Sequence, residues 1–305
     1  MADKPLAAVL GLGETGGAFA AGLKGSALFS EVVGWDPDFD VARAAQRKSV
    51  TDRFVRSAPD AARQAAIVFI ALRGEQFVET LTAIGPNLRQ GAVTCSLLEA
   101  QETANAAAAR ALPSNVSFLN ADPIAWTDGD GPERFKNGTW CIAPTPAAHE
   151  DAVGFVAQVG ERLGMEVFFL DAREHDALVS GFRTLPTVVA GALMTIAAAE
   201  VGWRELGRVA GLEFREATER IASDAEEHQA ALASGGEHSV RWLDRLIAEL
   251  TRLRDAAQDG RPPEGYFQRA PEARAKWLHQ RDLPAQAAEL PQLEQEKRRS
   301  LLRPF

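Results

Sequence analysis

The sequence predicts two fold classes in one chain: a doubly wound α/β sheet followed by an all-α domain. Three observations predict it. Seven short apolar, β-rich runs alternate with Ala-rich or amphipathic segments of helical length up to residue 171, the pattern of a mainly parallel sheet covered by helices. From residue 172 the strand signals stop and each long segment has helical period. The first strand runs straight into a glycine-rich turn that opens a helix.

The expected strands are residues 6–13 (LAAVLGLG), 32–36 (VVGWD), 66–72 (AIVFIAL), 92–98 (AVTCSLL), 116–121 (VSFLNA), 139–144 (TWCIAP) and 166–171 (EVFFLD). Helices are expected over 174–202, 203–211, 214–234 and 238–258. A Gly/Pro break at 259–265 (DGRPPEG) precedes a last helix near 266–280 and a charged, Pro-punctuated tail. The expected domains are 1–171, dinucleotide-binding, and 172–305, helical. No internal repeat is visible.

Composition narrows the class of function. With 305 residues, 46% apolar and 25% charged, the chain can build real cores. Its net charge of −9 argues against a nucleic-acid binder, which normally presents a basic face. Cys95 and Cys141 form no disulfide framework and, like the histidines, no metal-ligand pattern; they read as buried thiols of a reducing compartment. No secretory leader pattern opens the chain. The apolar stretch 185–201 falls short of a membrane span and ends in Glu200. A soluble, cytoplasmic protein is expected, with no membrane partner.

The segment AVLGLGETGGAFAAGL (7–22) carries Gly11-x-Gly13-x-x-Gly16 between a strand and a helix. Gly11 permits the tight turn, Gly13 admits a pyrophosphate close to the backbone, and Gly16 lets the helix pack closely. The helix N-terminus then faces the negative charge. This is a Rossmann-type fingerprint. The second strand ends in GWDPD and places Asp36 23 residues after Gly13. A carboxylate there accepts the ribose hydroxyls and repels a 2′-phosphate, so NAD is expected over NADP. Thr15 in the turn, with Leu72 and Arg73 after the 66–72 strand, completes the expected cofactor-binding set. Asp38 serves either there or as a helix cap.

In VSFLNADPIAW (116–126), Asp122 stands among apolar residues directly before Pro123. Carboxylates are seldom buried without a partner. Asp122 is either a site residue at the end of the strand or an Asx turn or helix cap.

The order of features resembles the prephenate dehydrogenase family, the prephenate and arogenate dehydrogenases of tyrosine biosynthesis, over nearly the whole chain. GLGETGGAFA resembles that family's GLGLIGGSLA, and DPIAW stands where it has HPMAG. ERFKNGTWCIAPT, EHDALVSGFRTLPTVVAGAL, FREATERIASD and YFQRAPEARAKW resemble further family segments, in register. The resemblance implies a helical second domain that builds a homodimer and an active site between domains. It also implies hydride transfer from a carboxylate-bearing cyclohexadienyl substrate to NAD, with decarboxylation making the ring aromatic.

The departures fall in the chemistry. The family's general-base histidine is replaced by Asp122. A serine and a lysine of the family fall on Leu98 and Ala100, and its two SHLPH histidines on Thr184 and Thr187. Arg183 stands where that motif has serine, and Arg73 where a family proline stands. Arg220, matching the arginine that grips a substrate carboxylate, is kept. So is His175, which the resemblance suggests is a helix-start residue.

Asp122 is therefore the candidate catalytic residue, with Arg220, Arg183, Thr184, Thr187 and Trp126 as candidate substrate-binding residues. Alternatives stand beside these readings. Arg220 could form an ion pair with Glu216 at i−4, Arg183 and Arg73 could be solvated, and Trp126 could pack in a core. The function readings are a dehydrogenase of the family's own activity, a relative moved to another small acid, hydroxyacid or imine, and a non-catalytic dinucleotide binder.

Overall fold

The computed structural model describes residues 4–129, 131–222, 225–261 and 263–282; the expected charged tail lies outside them. The chain divides into two compact units, one running to Asp176 and one beginning at Ala177.

The first unit holds one eight-stranded sheet. Its strands are β1 (Leu6–Leu10), β2 (Glu31–Trp35), β3 (Arg53–Phe54), β4 (Ile67–Ile70), β5 (Val93–Ser96), β6 (Ser117–Ile124), β7 (Thr139–Pro144) and β8 (Glu166–Phe169). The spatial order is β3-β2-β1-β4-β5-β6-β7-β8, with every pairing parallel except β6–β7. The helices are α1 (Glu14–Gly25), α2 (Phe39–Arg47), α3 (Ala58–Ala62), α4 (Gly74–Ile84), α5 (Gln101–Ala111), α6 (Glu150–Arg162) and α7 (Ala172–Val179), the last of which carries the chain into the second unit. The seven expected strands are present. β3 is an addition, a two-residue edge strand pairing Arg53 with Val33 and Phe54 with Gly34, too short to leave a sequence pattern.

Both faces of the central sheet are buried, which is why most of its strands read as near-continuous apolar runs. Alternate residues of β1 go to opposite cores, since side chains in a strand alternate in direction. Ala7 and Val9 join Phe19, Phe69 and Trp140 on one face; Ala8 and Leu10 join Phe77, Leu81 and Phe118 on the other. Phe19 stacks on Trp140 at 5.4 Å between centroids and meets Phe69 edge-on at 4.9 Å. The Trp140 indole N–H donates to Val156 O at 2.8 Å, so its burial leaves no unpaired donor. Burial of each such ring is worth roughly 1.5–3 kcal/mol.

The second unit is helical: α8 (Leu185–Ala198), α9 (Trp203–Leu206), α10 (Leu212–Thr218), α11 (Ala225–Ser234), α12 (Gly236–Gln258) and α13 (Tyr266–Asp282). The single helix expected over 174–202 is instead α7, a π turn at Ser180–Thr184, and α8. Pro186 explains the change of register, because it has no N–H to donate and its ring crowds the carbonyl four residues earlier. At Gly181 a Cβ would lie 2.2 Å from the Trp242 ring, so only glycine fits beneath that indole. The helix expected over 214–234 is likewise broken, into α10, a 3-10 turn at Glu219–Ala222, and α11.

Within one chain the apolar α8 is not buried all round. Only Ala190 of α8 is fully buried, while Val189, Leu193 and Ile196 are 39%, 38% and 66% exposed. With α7 and the π turn it forms a run, Ala172–Ala198, long and apolar enough to cross a membrane by length and composition alone.

Candidate functional site

The three glycines of the first turn have separate physical reasons. Gly11 has φ +93°, and a Cβ there would lie 2.8 Å from the Ala71 carbonyl carbon and 3.0 Å from Leu72 Cγ. Its N–H donates to Trp35 O at 2.9 Å, tying the turn to the end of β2. At Gly16 a Cβ would lie 2.0 Å from Gly11 O, so helix α1 can approach the turn only without a side chain. Gly13 differs: φ is −61° and nothing lies within 4 Å of where its Cβ would be. The backbone does not need glycine there. Its absence of a side chain leaves space beside the α1 N-terminus, which has no side-chain cap. The first helical bond runs from Gly17 N–H to Gly13 O, so the N–H groups of Glu14, Thr15 and Gly16 have no acceptor within the helix.

Asp36 braces this turn. Its Oδ2 accepts from Leu12 N–H at 2.6 Å and its Oδ1 from Asp38 N–H at 2.8 Å. Burial raises its carboxyl pKa above the usual value, and the two backbone bonds oppose that rise. Asp38 caps α2, accepting from Asp40 and Val41 N–H. Thr15 is half-buried and Leu72 is buried against the turn. Arg73 precedes α4, its guanidinium 3.8 Å from Glu99. Sequence reasoning passed over Arg134, whose largely buried guanidinium binds the Glu14 carboxylate at the first residue of α1.

Asp122 sits two residues past the point where β5 stops pairing with β6, since that ladder ends at Ser96–Asn120. It therefore lies beyond the carboxyl edge of the parallel strands, the edge from which the glycine turn also emerges. Ligands of doubly wound sheets bind along that edge, where the strand order reverses. Here the reversal falls between β1 and β4. At Asp122 strand β6 pairs with antiparallel β7, opposite Cys141.

Asp122 is 2% exposed, and its carboxylate meets His175, 1% exposed, with Nε2 at 3.2 Å from Asp122 Oδ2. The imidazole's Nδ1 lies 3.1 Å from Asp176 Oδ1. Asp176 in turn accepts from the N–H groups of Gln101 at 2.9 Å and Glu102 at 3.0 Å, the first two residues of α5. Helix α5 begins after Ala100, which has no capping side chain, so Asp176 supplies the cap from elsewhere in the chain. Asp171 starts α7 by accepting from Glu174 N–H at 2.9 Å, and so fixes His175 and Asp176 in the first turns of that helix. Burial alone would hold the imidazole neutral. The hydrogen bonds and charges of Asp122 and Asp176 outweigh it and push the His175 pKa up to about 9. His175 does stand near a helix start. Its role as the partner of Asp122 was legible only as the rule that a buried carboxylate needs one.

Leu98 is buried and Ala100 precedes α5. Trp126 is 36% exposed instead of packed in a core, with its N–H on Arg134 O at 3.4 Å. In the second unit, half-buried Arg183 and buried Thr184 belong to the π turn. Thr187 follows in the first turn of α8, its hydroxyl 3.5 Å from Arg183 O. Arg220 is exposed on the 3-10 turn, and no ion pair joins it to Glu216 among the described residues.

A nucleotide-ready turn at the switch point of a doubly wound sheet defines a dinucleotide-binding protein. Residues 19–169 match the prephenate dehydrogenase nucleotide-binding domain. Over those residues the chain is similar to the prephenate dehydrogenase family. It is 24% identical to a cyclohexadienyl dehydrogenase of Zymomonas mobilis over 276 residues, covering 88% of this chain and 94% of that one. Among solved structures, prephenate dehydrogenase from Aquifex aeolicus in complex with hydroxyphenyl propionate and NAD+ aligns with TM-score 0.78 at 19% identity, covering 90% and 98% of the two chains. Synechocystis arogenate dehydrogenase aligns with TM-score 0.74 at 19% identity, covering 89% and 99%.

Proposed function

We propose that this chain is an NAD-dependent dehydrogenase acting on a carboxylate-bearing, cyclohexadienyl-type substrate of the prephenate or arogenate kind. The observation that carries this reading is the pairing, on one sheet edge, of an open glycine turn with a buried, histidine-bound carboxylate. The residues present fit the dinucleotide. Space beside Gly13 admits a pyrophosphate, the first-turn N–H groups of α1 are directed to it, and Asp36 stands where a ribose diol would be read. Thr15, Leu72 and Arg73 are the further residues proposed to bind the cofactor, with Leu72 packed against Gly11.

When bound, the oxidised nicotinamide supplies a hydride acceptor. Asp122 is the proposed acceptor of the substrate hydroxyl proton: the O–H bond breaks as the C–H bond is lost and a carbonyl forms. Decarboxylation then breaks a C–C bond whose electron pair passes through the ring to the carbonyl oxygen, and that oxygen takes the proton back as the ring becomes aromatic. Arg220 is the proposed carboxylate grip, with Arg183, Thr184, Thr187 and Trp126 as further substrate-binding residues. The exposed apolar side chains of α8 are proposed to pack against a second copy of the chain in a cytoplasmic homodimer.

The test is NADH formation across prephenate, arogenate and simple hydroxyacids. Turnover of a cyclohexadienyl acid is expected, and no NADH with any of them would remove the reading.

A further inference from the structure

We propose that His175 is the positioning residue of the proton acceptor: a protonated imidazole, anchored by Asp176, that fixes and charges Asp122. This rests on the dehydrogenase reading above and adds to it a residue that the glycine turn and the substrate grip do not require.

Geometry carries the argument. Both ring nitrogens face carboxylate oxygens, Nε2 toward Asp122 at 3.2 Å and Nδ1 toward Asp176 at 3.1 Å. A neutral imidazole has one N–H, so it would turn a lone pair on one of those anions. With both carboxyls ionised, only the doubly protonated ring donates to each of them. Asp176 cannot follow a moving ring, because its two oxygens are tied to the Gln101 and Glu102 N–H groups at the start of α5. The network thus runs from a fixed helix terminus through Asp176 and His175 to Asp122, and all three side chains are buried. Two carboxylates around one cation leave a net charge of −1, held where water does not screen it.

The arrangement inverts the order expected from the resemblance, in which a histidine meets the substrate. Here a carboxylate occupies that position and the histidine stands behind it. As the substrate hydroxyl O–H breaks, its proton bonds to the Asp122 carboxylate and the three-residue group goes from −1 to neutral. His175 keeps both of its protons throughout. Among the described residues the titratable groups against the ring are Asp122 on β6 and Asp176 on α7, with Cys141 opposite Asp122 on β7 and the α5 N–H groups beyond Asp176. Loss of the imidazolium proton above pH about 9 removes one of the two ring bonds and loosens Asp122.

The experiment is the pH dependence of kcat and KM for the full chain and for His175→Gln, which keeps a donor and loses the charge. In the wild type, kcat is expected to fall as pH rises through about 9. His175→Gln is expected to lose at least ~10-fold in kcat, with KM and NAD affinity little changed, and to lack that limb. Asp176→Asn should move the limb toward neutral pH, because one of the two anions is gone. Wild-type kcat and an unaltered profile in His175→Gln would overturn the inference and leave the dehydrogenase reading standing. Absence of NADH formation by the wild type would remove both. Should His175→Gln not fold, imidazole titration by NMR decides. One ring titrating near 9 that moves down in Asp122→Asn supports the inference, and no ring titrating above the ordinary histidine range overturns it.

Discussion

His175 Nε2 lies 3.2 Å from Asp122 Oδ2, with both side chains almost wholly removed from water. Breaking such a pair leaves an uncompensated buried charge, so this contact bears on stability as well as chemistry. His175 has its folded pKa raised to about 9 from an ordinary 6.5. Its contribution is then fully present below pH 6.5 and is lost as pH rises through about 9, up to on the order of 3 kcal/mol. Urea unfolding should show the wild type losing stability between pH 6 and 9.5. His175→Gln should be less stable at pH 6 and flat across that range. A wild-type midpoint independent of pH would contradict the pairing.

Gly13 and Gly16 should separate folding from cofactor binding. Gly16→Ala places a methyl 2.0 Å from Gly11 O and should destabilise the first unit by about 3 kcal/mol or more. Gly13→Ala meets nothing within 4 Å, so its thermal melt should match the wild type. Its NAD affinity should nonetheless drop ~10-fold or more, because the methyl occupies the space proposed for the pyrophosphate. Calorimetry showing unchanged NAD binding by Gly13→Ala would remove the turn from the cofactor site.

Asp36→Ser should relax discrimination against NADP, since the carboxylate that repels a 2′-phosphate is gone. It should also weaken NAD itself, because Leu12 N–H loses its 2.6 Å acceptor and the turn its brace. Wild-type protein that preferred NADP in calorimetry would argue against the role given to Asp36.

Asp122→Asn keeps the shape and removes the proton acceptor. Turnover should fall ~10²-fold or more with NAD affinity nearly unchanged. Arg220→Lys should act mainly on KM, because a point charge replaces a planar, bidentate fork. Equal loss of kcat and NAD affinity in Asp122→Asn would point instead to a structural role.

Light scattering at micromolar concentration should give about twice the chain mass of 32.8 kDa. Val189→Asp or Ile196→Asp, on exposed positions of α8, should shift the protein toward monomer without unfolding the first unit. A wild-type monomer would leave the apolar face of α8 without its proposed partner.

Much of this molecule was local and so could be read along the chain. Near-continuous apolar runs named seven strands, because a sheet covered on both faces favours apolar residues at successive strand positions. The glycine turn and Asp36 were legible because their spacing follows from one strand–helix–strand unit. Elements without a local pattern were missed: β3, with only two residues, and the π turn before Pro186, where the pattern stays helical while the ladder slips. The residues around Asp122 raised a question that they could not answer, since burying a carboxylate demands a partner but does not say which. His175 and Asp176 come from a helix 53 and 54 residues further on, and the α5 N–H groups from another helix. By itself the sequence determined the alternation of elements, the nucleotide turn and the need for a counter-charge at Asp122. Only the tertiary structure decided what meets that need, because ion pairing in a dry interior depends on distances of about 3 Å between side chains far apart in sequence.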